Sequence, residues 1–174
     1  MSKLFLLMGV PGAGKTTWIK KQLKPTDAYI SRDDIRFSLL KEDEDYFSHE
    51  NEVFKIFYRQ INSALLDPKI ERVFADATHI NVKSREKILN KIYTVPEEIN
   101  IVWVKTPLMT CIEQNALRKG RAEVPIEIIK KMYYNIEEPS KKEKDIDNLY
   151  IIDYKYKTIK KIFLREENLE GFNL

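Results

Sequence analysis

A single cysteine, Cys111, in a chain of 174 residues excludes an internal disulfide framework and a cysteine-rich zinc site. That usage points to a reducing compartment, with the cytoplasm as the expectation. Long apolar runs are also lacking. The longest, Leu4 to Val10, falls far short of the roughly 20 residues a membrane span needs, so no transmembrane helix is expected. Lys3 ahead of that run only faintly imitates a signal peptide. The run stops at Pro11-Gly12-Ala13-Gly14-Lys15, which fits a strand entering a phosphate loop better than a secretory leader. Charge of one sign is missing too: 30 basic and 27 acidic residues leave a net +3. This is too balanced for the concentrated basic face that non-specific nucleic-acid binding requires. With five glycines, no linker rich in Gly or Ser, no repeat and no low-complexity tract, no internal boundary is visible. The 43% apolar and 33% charged side chains fit one globular domain over residues 1–174. A chain of this length buries roughly 70% of its unfolded surface without help from disulfides or metal.

What is present alternates along the chain. Short apolar, β-branched or aromatic stretches predict strands over Lys3–Met8, Ala28–Ser31, Arg72–Ala75, Asn100–Lys105 and Leu149–Asp153. Helical patterns lie between them, over Gly14–Lys24, Asp33–Lys41, Tyr46–Asp67, Asn81–Tyr93, Pro107–Lys119 and Pro125–Glu138. Strands alternating with helices demand crossovers, so the expectation is an α/β fold with a parallel sheet covered on both faces. Tyr154 to Arg165 alternates basic and apolar residues and suits an antiparallel hairpin at the sheet edge, where lysines blunt further pairing. The acidic run Glu42–Asp45 and the mixed-charge stretch Ser140–Asp147 fit solvated connectors. Cys111 is expected to be buried on a helix. Phe54, Phe57 and Tyr58 recur at helical spacing and fit the core, and no aromatic stacking motif for bases is visible.

Gly9-Val10-Pro11-Gly12-Ala13-Gly14-Lys15-Thr16 satisfies the eight-residue P-loop pattern, follows an apolar strand and opens a helix. Glycines let backbone NH groups converge on phosphate oxygens, the helix N-terminus adds positive potential and Lys15 supplies a full charge. The nucleotide, expected to be ATP, is therefore placed on Gly9, Gly12, Ala13, Gly14, Lys15, Thr16 and Thr17. The Thr16 hydroxyl is a ligand for Mg²⁺, and Asp76, which ends the buried segment Arg72-Val73-Phe74-Ala75, is the second metal candidate. In a parallel sheet both open on the same C-terminal edge, where ligands of open α/β folds bind. Thr78 and His79, in the turn after Asp76, are candidate acceptor contacts. No Asp-x-x-Gly switch follows Asp76 and no Asn-Lys-x-Asp occurs, which excludes a switch GTPase.

Ser31-Arg32-Asp33-Asp34-Ile35-Arg36 follows the second strand and opens a helix. Ser31 and Asp34 form a capping-box pattern, which leaves Asp33 to face the cleft as a general base. Arg36, one turn on, shares its side and can grip an anionic group of the acceptor. The segment Asn115 to Pro125 joins a helix ending near Gly120 to one starting at Pro125, and it is expected to act as a lid. Arg118 and Arg121 there can neutralise charge on bound phosphates, as an arginine finger in cis does.

Together these residues resemble the kinase domain of bacteriophage polynucleotide 5′-kinases, within the P-loop kinase family that also holds zeta toxins and small-metabolite kinases. The likeness rests on Gly9–Thr16, on Ser31–Arg36, on Asp76-Ala77-Thr78-His79-Ile80-Asn81 with Arg85 beyond it, and on Asn115–Pro125 with Met132-Tyr133. It implies transfer of the ATP γ-phosphate to the 5′-hydroxyl end of DNA or RNA. Asp33 would then be the base, Arg36 the grip on the neighbouring substrate phosphate, Asp76 the support of metal and acceptor, and Arg118 the lid arginine. Gln114 departs from the pattern, where the family often has an arginine one turn before Arg118, which either leaves Arg121 to compensate or makes for a weaker lid. The phosphatase half of the bifunctional phage enzymes finds no match, and Asp145-Ile146-Asp147 takes no catalytic role. Two other readings stay open: a kinase of a small metabolite or nucleotide sugar, and an ATP-hydrolysing binding module that transfers nothing.

Overall fold

The computed structural model describes residues 1–118, 120, 123–143, 145–153 and 158–163. Twelve elements follow one another among them: β1 (Lys3–Met8), α1 (Lys15–Lys20), β2 (Asp27–Ser31), α2 (Arg32–Leu39), α3 (Glu50–Leu66), β3 (Arg72–Asp76), α4 (Val82–Leu89), β4 (Ile99–Lys105), α5 (Leu108–Ala116), α6 (Ile126–Tyr134), β5 (Asn148–Asp153) and β6 (Ile159–Phe163). The strands form one sheet in the order β2-β3-β1-β4-β5-β6. Every neighbouring pair is parallel except β5 and β6. The expected α/β fold is therefore present, and it is the P-loop NTPase fold. β6 pairs antiparallel with β5 at the sheet edge, as the alternating pattern predicts. The Tyr154–Lys157 turn of that expected hairpin, and everything from 164 on, lie outside the described residues.

The central strands are apolar on both faces because both are covered. Leu4, Leu6 and Met8 of β1 pack on Val53, Phe57 and Ile61 of α3 and Ile88 of α4. The alternate residue Leu7 turns to the other face, against Ile19 of α1. Register then sets the site. Leu7 is paired with Asp76 and Asp76 with Ser31, so the ends of β1, β3 and β2 finish level with one another. The turns that follow those three strands must therefore meet at one rim.

Several expectations need correction, and α1, α4 and α6 each end four residues early, at Lys20, Leu89 and Tyr134. α3 begins at Glu50 instead of Tyr46, because residues 41–48 close turns such as Ser48 N–H to Asp45 O at 3.0 Å. α5 ends at Ala116, and Arg118 follows it in a tightened turn, its N–H donating to Asn115 O at 3.0 Å. Ser140–Asp147 is more than a solvated connector. Ile146 is buried, Asp147 exchanges hydrogen bonds with the backbone of Ile99 at the start of β4, and Glu143 pairs with buried Arg85. No helix among the described residues is long and apolar enough to cross a membrane.

Candidate active site

The P-loop carries its geometry in three left-handed glycines. Gly12 has φ +80° and lies so close to α5 that a Cβ there would sit 2.0 Å from the Cys111 carbonyl oxygen. Gly14 caps α1 at φ +91°, and the side chain of Gln114 comes near it. The base of the loop is sealed by Val10, Ala13, Cys111 and Ile129, while Gly9 N–H donates to Thr78 O at 3.0 Å and ties the loop to the end of β3. Burial pushes the Cys111 thiol up to about 11, so it is an inert packing group. The Lys15 amine donates to Gly9 O at 2.8 Å and Val10 O at 3.3 Å. Burial holds its pKa below the ordinary lysine value, against the opposing pull of Asp76 and Asp33.

Thr16 Oγ1 donates to Asp76 Oδ2 at 2.9 Å, and the Tyr29 hydroxyl donates to the same oxygen at 2.7 Å. Burial and the Asp76 charge raise the Tyr29 phenol, which stays a donor at neutral pH. A hydroxyl and a carboxylate in contact at the strand ends are hard oxygen donors of the kind Mg²⁺ takes. That ion binds through one or two carboxylates plus substrate phosphates and seldom in an all-protein cage. Among the described residues there is no group of three or more His, Cys, Asp or Glu side chains that could hold a metal ion.

On the other strand end, Ser31 caps α2 by accepting from Asp34 N–H at 3.1 Å. Asp33 is thereby left on the cleft side, its side chain half exposed. Arg36 donates to Asp33 Oδ1 at 2.5 Å, to the Tyr46 hydroxyl at 2.8 Å and to Glu50 Oε2 at 2.9 Å. Tyr46 in turn donates to Asp33 Oδ1 at 2.8 Å. Glu50 also takes Arg32 through its other oxygen. Burial works against the Glu50 carboxylate, but the Arg36 hydrogen bond and the Arg32 charge keep its pKa below the usual range. Arg36 is therefore far more engaged than its spacing from Asp33 implies. Its Nε and that of Arg32 are buried with no hydrogen-bond partner among the described residues, so the protein leaves part of each fork unmet.

One cleft of about 210 Å³ is lined jointly by Lys15, Thr16, Asp33, Arg36, Asp76, Thr78 and Arg118. Seven candidate residues from four separate segments thus share one space. Arg118 lines it one turn after Asn115, whose buried side chain donates to Val124 O at 2.8 Å and accepts from Val124 N–H at 3.0 Å, a clasp between the end of α5 and Val124. Arg121 lies outside the described residues, as do Lys119 and Ala122 of the expected lid. Thr17 faces a separate open groove on the far side of the P-loop, with Gly14, Gln114 and Leu117. His79 does not reach the cleft. It has φ +43°, is buried against Phe57, and its Nδ1 lies 2.8 Å from Leu7 O. A left-handed residue after Thr78 sends that side chain into the core. Arg85, one of the residues that carry the resemblance, is a core clamp, bonded to Glu143 and to the His79 and Glu137 carbonyls. Three residues that shape the site have no motif to announce them, Tyr29, Tyr46 and Glu50, and Arg32 stands inside the Ser31–Arg36 motif without a role read for it.

Fold and site define a P-loop NTPase with kinase-like architecture. Residues 4–139 match the family described as an AAA domain, and the chain belongs to that family. Among solved structures, it resembles a chain of the Pnkp1/Rnl/Hen1 RNA repair complex with 20% identity and a TM-score of 0.64, over 99% of this chain and 52% of that one. The chain thus spans about half the length of that relative. Kti12 of Chaetomium thermophilum in complex with ADP-AlF3 matches with 14% identity and a TM-score of 0.60, over 87% of this chain and 89% of the other. A fungal RNA kinase matches with 14% identity and a TM-score of 0.59, over 87% of this chain and 74% of that one. Identities this low establish a shared fold.

Proposed function

We propose that the chain is an ATP-dependent polynucleotide 5′-hydroxyl kinase, acting as one domain with residues 115–125 as its lid. The carrying observation is that the cleft holding Lys15, Thr16 and Asp76 also holds Asp33. Asp33 is a half-exposed carboxylate with Oδ1 taken by two donors and no described residue donating to Oδ2. Arg32 and Arg36 line the same cleft and offer cationic charge to an anionic acceptor, which a water nucleophile is not, and this favours transfer over hydrolysis.

The geometry supports a division of labour among these residues. P-loop amides and Lys15 bind the donor phosphates, and the groove lined by Thr17 and Gln114 accommodates the rest of the nucleotide. Thr16 and Asp76 would hold Mg²⁺, which supplies charge neutralisation between the donor phosphates. Asp33 Oδ2 accepts the proton of the attacking hydroxyl, whose oxygen forms its bond to the γ-phosphorus as the bond from that phosphorus to the β–γ bridging oxygen breaks and ADP leaves. Arg36, with Arg32 beside it, presents cationic charge to a substrate phosphate, and Arg118 neutralises charge on the group in transit. Positioning and electrostatics account for most of the rate, since the covalent change is small. An RNA kinase and an RNA repair complex among the fold neighbours support a nucleic-acid end as acceptor, while a sugar kinase from a Janibacter species shares the same fold with 13% identity and a TM-score of 0.59.

The test is a panel of acceptors given γ-labelled ATP: 5′-hydroxyl DNA and RNA, single-stranded and nicked, beside nucleosides and sugars. Label on an oligonucleotide 5′ end is the expected result. Label on sugars alone would replace the acceptor class, and label released only as free phosphate would replace transfer by hydrolysis.

A further inference from the structure

The cleft has apolar walls that a phosphate and a hydroxyl do not need. Phe47 is 64% exposed yet lines the same space as Asp33 and Arg36. It is the next residue after Tyr46, and the two rings meet edge to face with centroids 4.8 Å apart. The Arg36 guanidinium carbon lies 4.3 Å from the Tyr46 ring centre and 5.9 Å from that of Phe47. Because the Tyr46 hydroxyl is bound to Asp33 Oδ1, the Phe47 ring stands at a fixed remove from the carboxylate that would take the proton. Ile128 and Met132 of α6 bring further apolar surface to the same cleft.

A bare sugar would ask for hydrogen-bonding groups at this place, since its own surface is hydroxyls. A nucleobase asks for a flat apolar face. In a 5′-terminal nucleotide the reacting hydroxyl and the base are carried by one ribose, so anchoring the hydroxyl at Asp33 obliges the base to settle among that residue's neighbours. The neighbour with an open aromatic face is Phe47. Resting on the polynucleotide reading above, we infer that Phe47 is the stacking platform for the first nucleobase, and that the acceptor is recognised as a base-bearing, unpaired 5′ end. Every base has a π face, so such a platform tolerates all four. A blunt duplex end, whose first base is paired and stacked on its neighbour, meets Phe47 poorly.

The experiment uses two single-stranded 5′-hydroxyl oligonucleotides that differ only in having a normal or an abasic first nucleotide. Each is assayed with the unaltered protein, Phe47→Ala and Phe47→Trp. Stacking on an aromatic side chain predicts that kcat/KM of the unaltered protein favours the base-bearing end by about tenfold. Phe47→Ala should bring that ratio close to one and Phe47→Trp should keep it, with KM for ATP and the unfolding midpoint unchanged in both. A ratio in Phe47→Ala equal to that of the unaltered protein, or no preference in the unaltered protein, overturns the platform while leaving the polynucleotide reading intact. If the unaltered protein phosphorylates sugars and neither oligonucleotide, the polynucleotide reading itself falls and takes the platform with it.

Discussion

Tyr46 donates its hydroxyl hydrogen to Oδ1 of Asp33 at 2.8 Å, from a turn ten residues beyond the helix turn that carries Arg36. The contact orients the carboxylate, because one oxygen is fixed by two donors and the other takes no hydrogen bond from a described residue. For a general base in phosphoryl transfer, Asp33→Asn is expected to lower kcat by about 10²- to 10⁴-fold. ATP affinity should change little, since the hydrogen bonds of Asp33 go to Arg36 and Tyr46 and it acts on Lys15 through its charge. Tyr46→Phe removes one hydrogen bond to a charged group and should lower kcat by about tenfold, with the KM of ATP unmoved. Steady-state kinetics with an oligonucleotide acceptor, together with a nucleotide-binding titration, separates these outcomes.

The P-loop and its setting were legible because local chemistry dictates them: Gly12 and Gly14 need left-handed φ values, and a strand before them and a helix after them fix where the loop opens. The α/β order was legible for the same local reason, since each strand and helix announces itself by period. The acceptor side was legible only in part. Asp33 and Arg36 share one helix, so spacing brings them together, but Tyr46 and Glu50 arrive by the packing of α3 against α2 across an irregular connector. No period reports such a meeting. His79 was misplaced because a positive φ in a turn reverses a side chain, and nothing in Asp76-Ala77-Thr78-His79 marks which residue takes it. The charged stretch around Glu143 hides a buried partner for the same reason: its mate, Arg85, is fifty-eight residues away.

Gly12 and Gly14 provide an internal comparison. Both have positive φ, but a Cβ at Gly12 would overlap the Cys111 carbonyl at 2.0 Å, whereas at Gly14 the nearest atom is the Gln114 side-chain oxygen at 3.7 Å. Gly14→Ala therefore bears the backbone strain alone, about 1–3 kcal/mol. Gly12→Ala adds a clash with the backbone of α5, which cannot move without disturbing the Asn115 clasp. The expected order, read by denaturant unfolding and by nucleotide titration, is a larger stability loss for Gly12→Ala and no measurable ATP binding by that variant.

Arg85 is fully buried and meets Glu143 through two bonds of 2.7 Å. Taking two charges from water is costly, so the pair adds little net stability, but losing one member leaves the other uncompensated. Arg85→Met is expected to cost about 3–5 kcal/mol, and Glu143→Gln a comparable amount. The double variant should be less destabilised than the sum, because neither charge then stays buried alone. A double-mutant cycle by urea denaturation measures the coupling. Additive losses would show that the two side chains act independently.

His79 links the fold to pH. Its Nδ1–H donates to Leu7 O at 2.8 Å, and burial, helped by the charges of Arg32, Lys15 and Arg85, lowers its pKa to about 4. The native imidazole is therefore neutral at every pH above that value. In the unfolded chain it titrates near 6.5, so between about 6.5 and 4 the unfolded state binds a proton that the native state refuses. The contribution to stability is complete above pH 6.5 and lost as the pH falls toward 4, by about 3 kcal/mol over that window. His79→Gln cannot take up the proton, so although it costs stability at pH 7, its unfolding free energy should decline less steeply with acid. Urea midpoints measured from pH 7.5 to 4.5 for both proteins supply the comparison, and equal slopes would show that this ring is protonated as readily in the folded protein as in water.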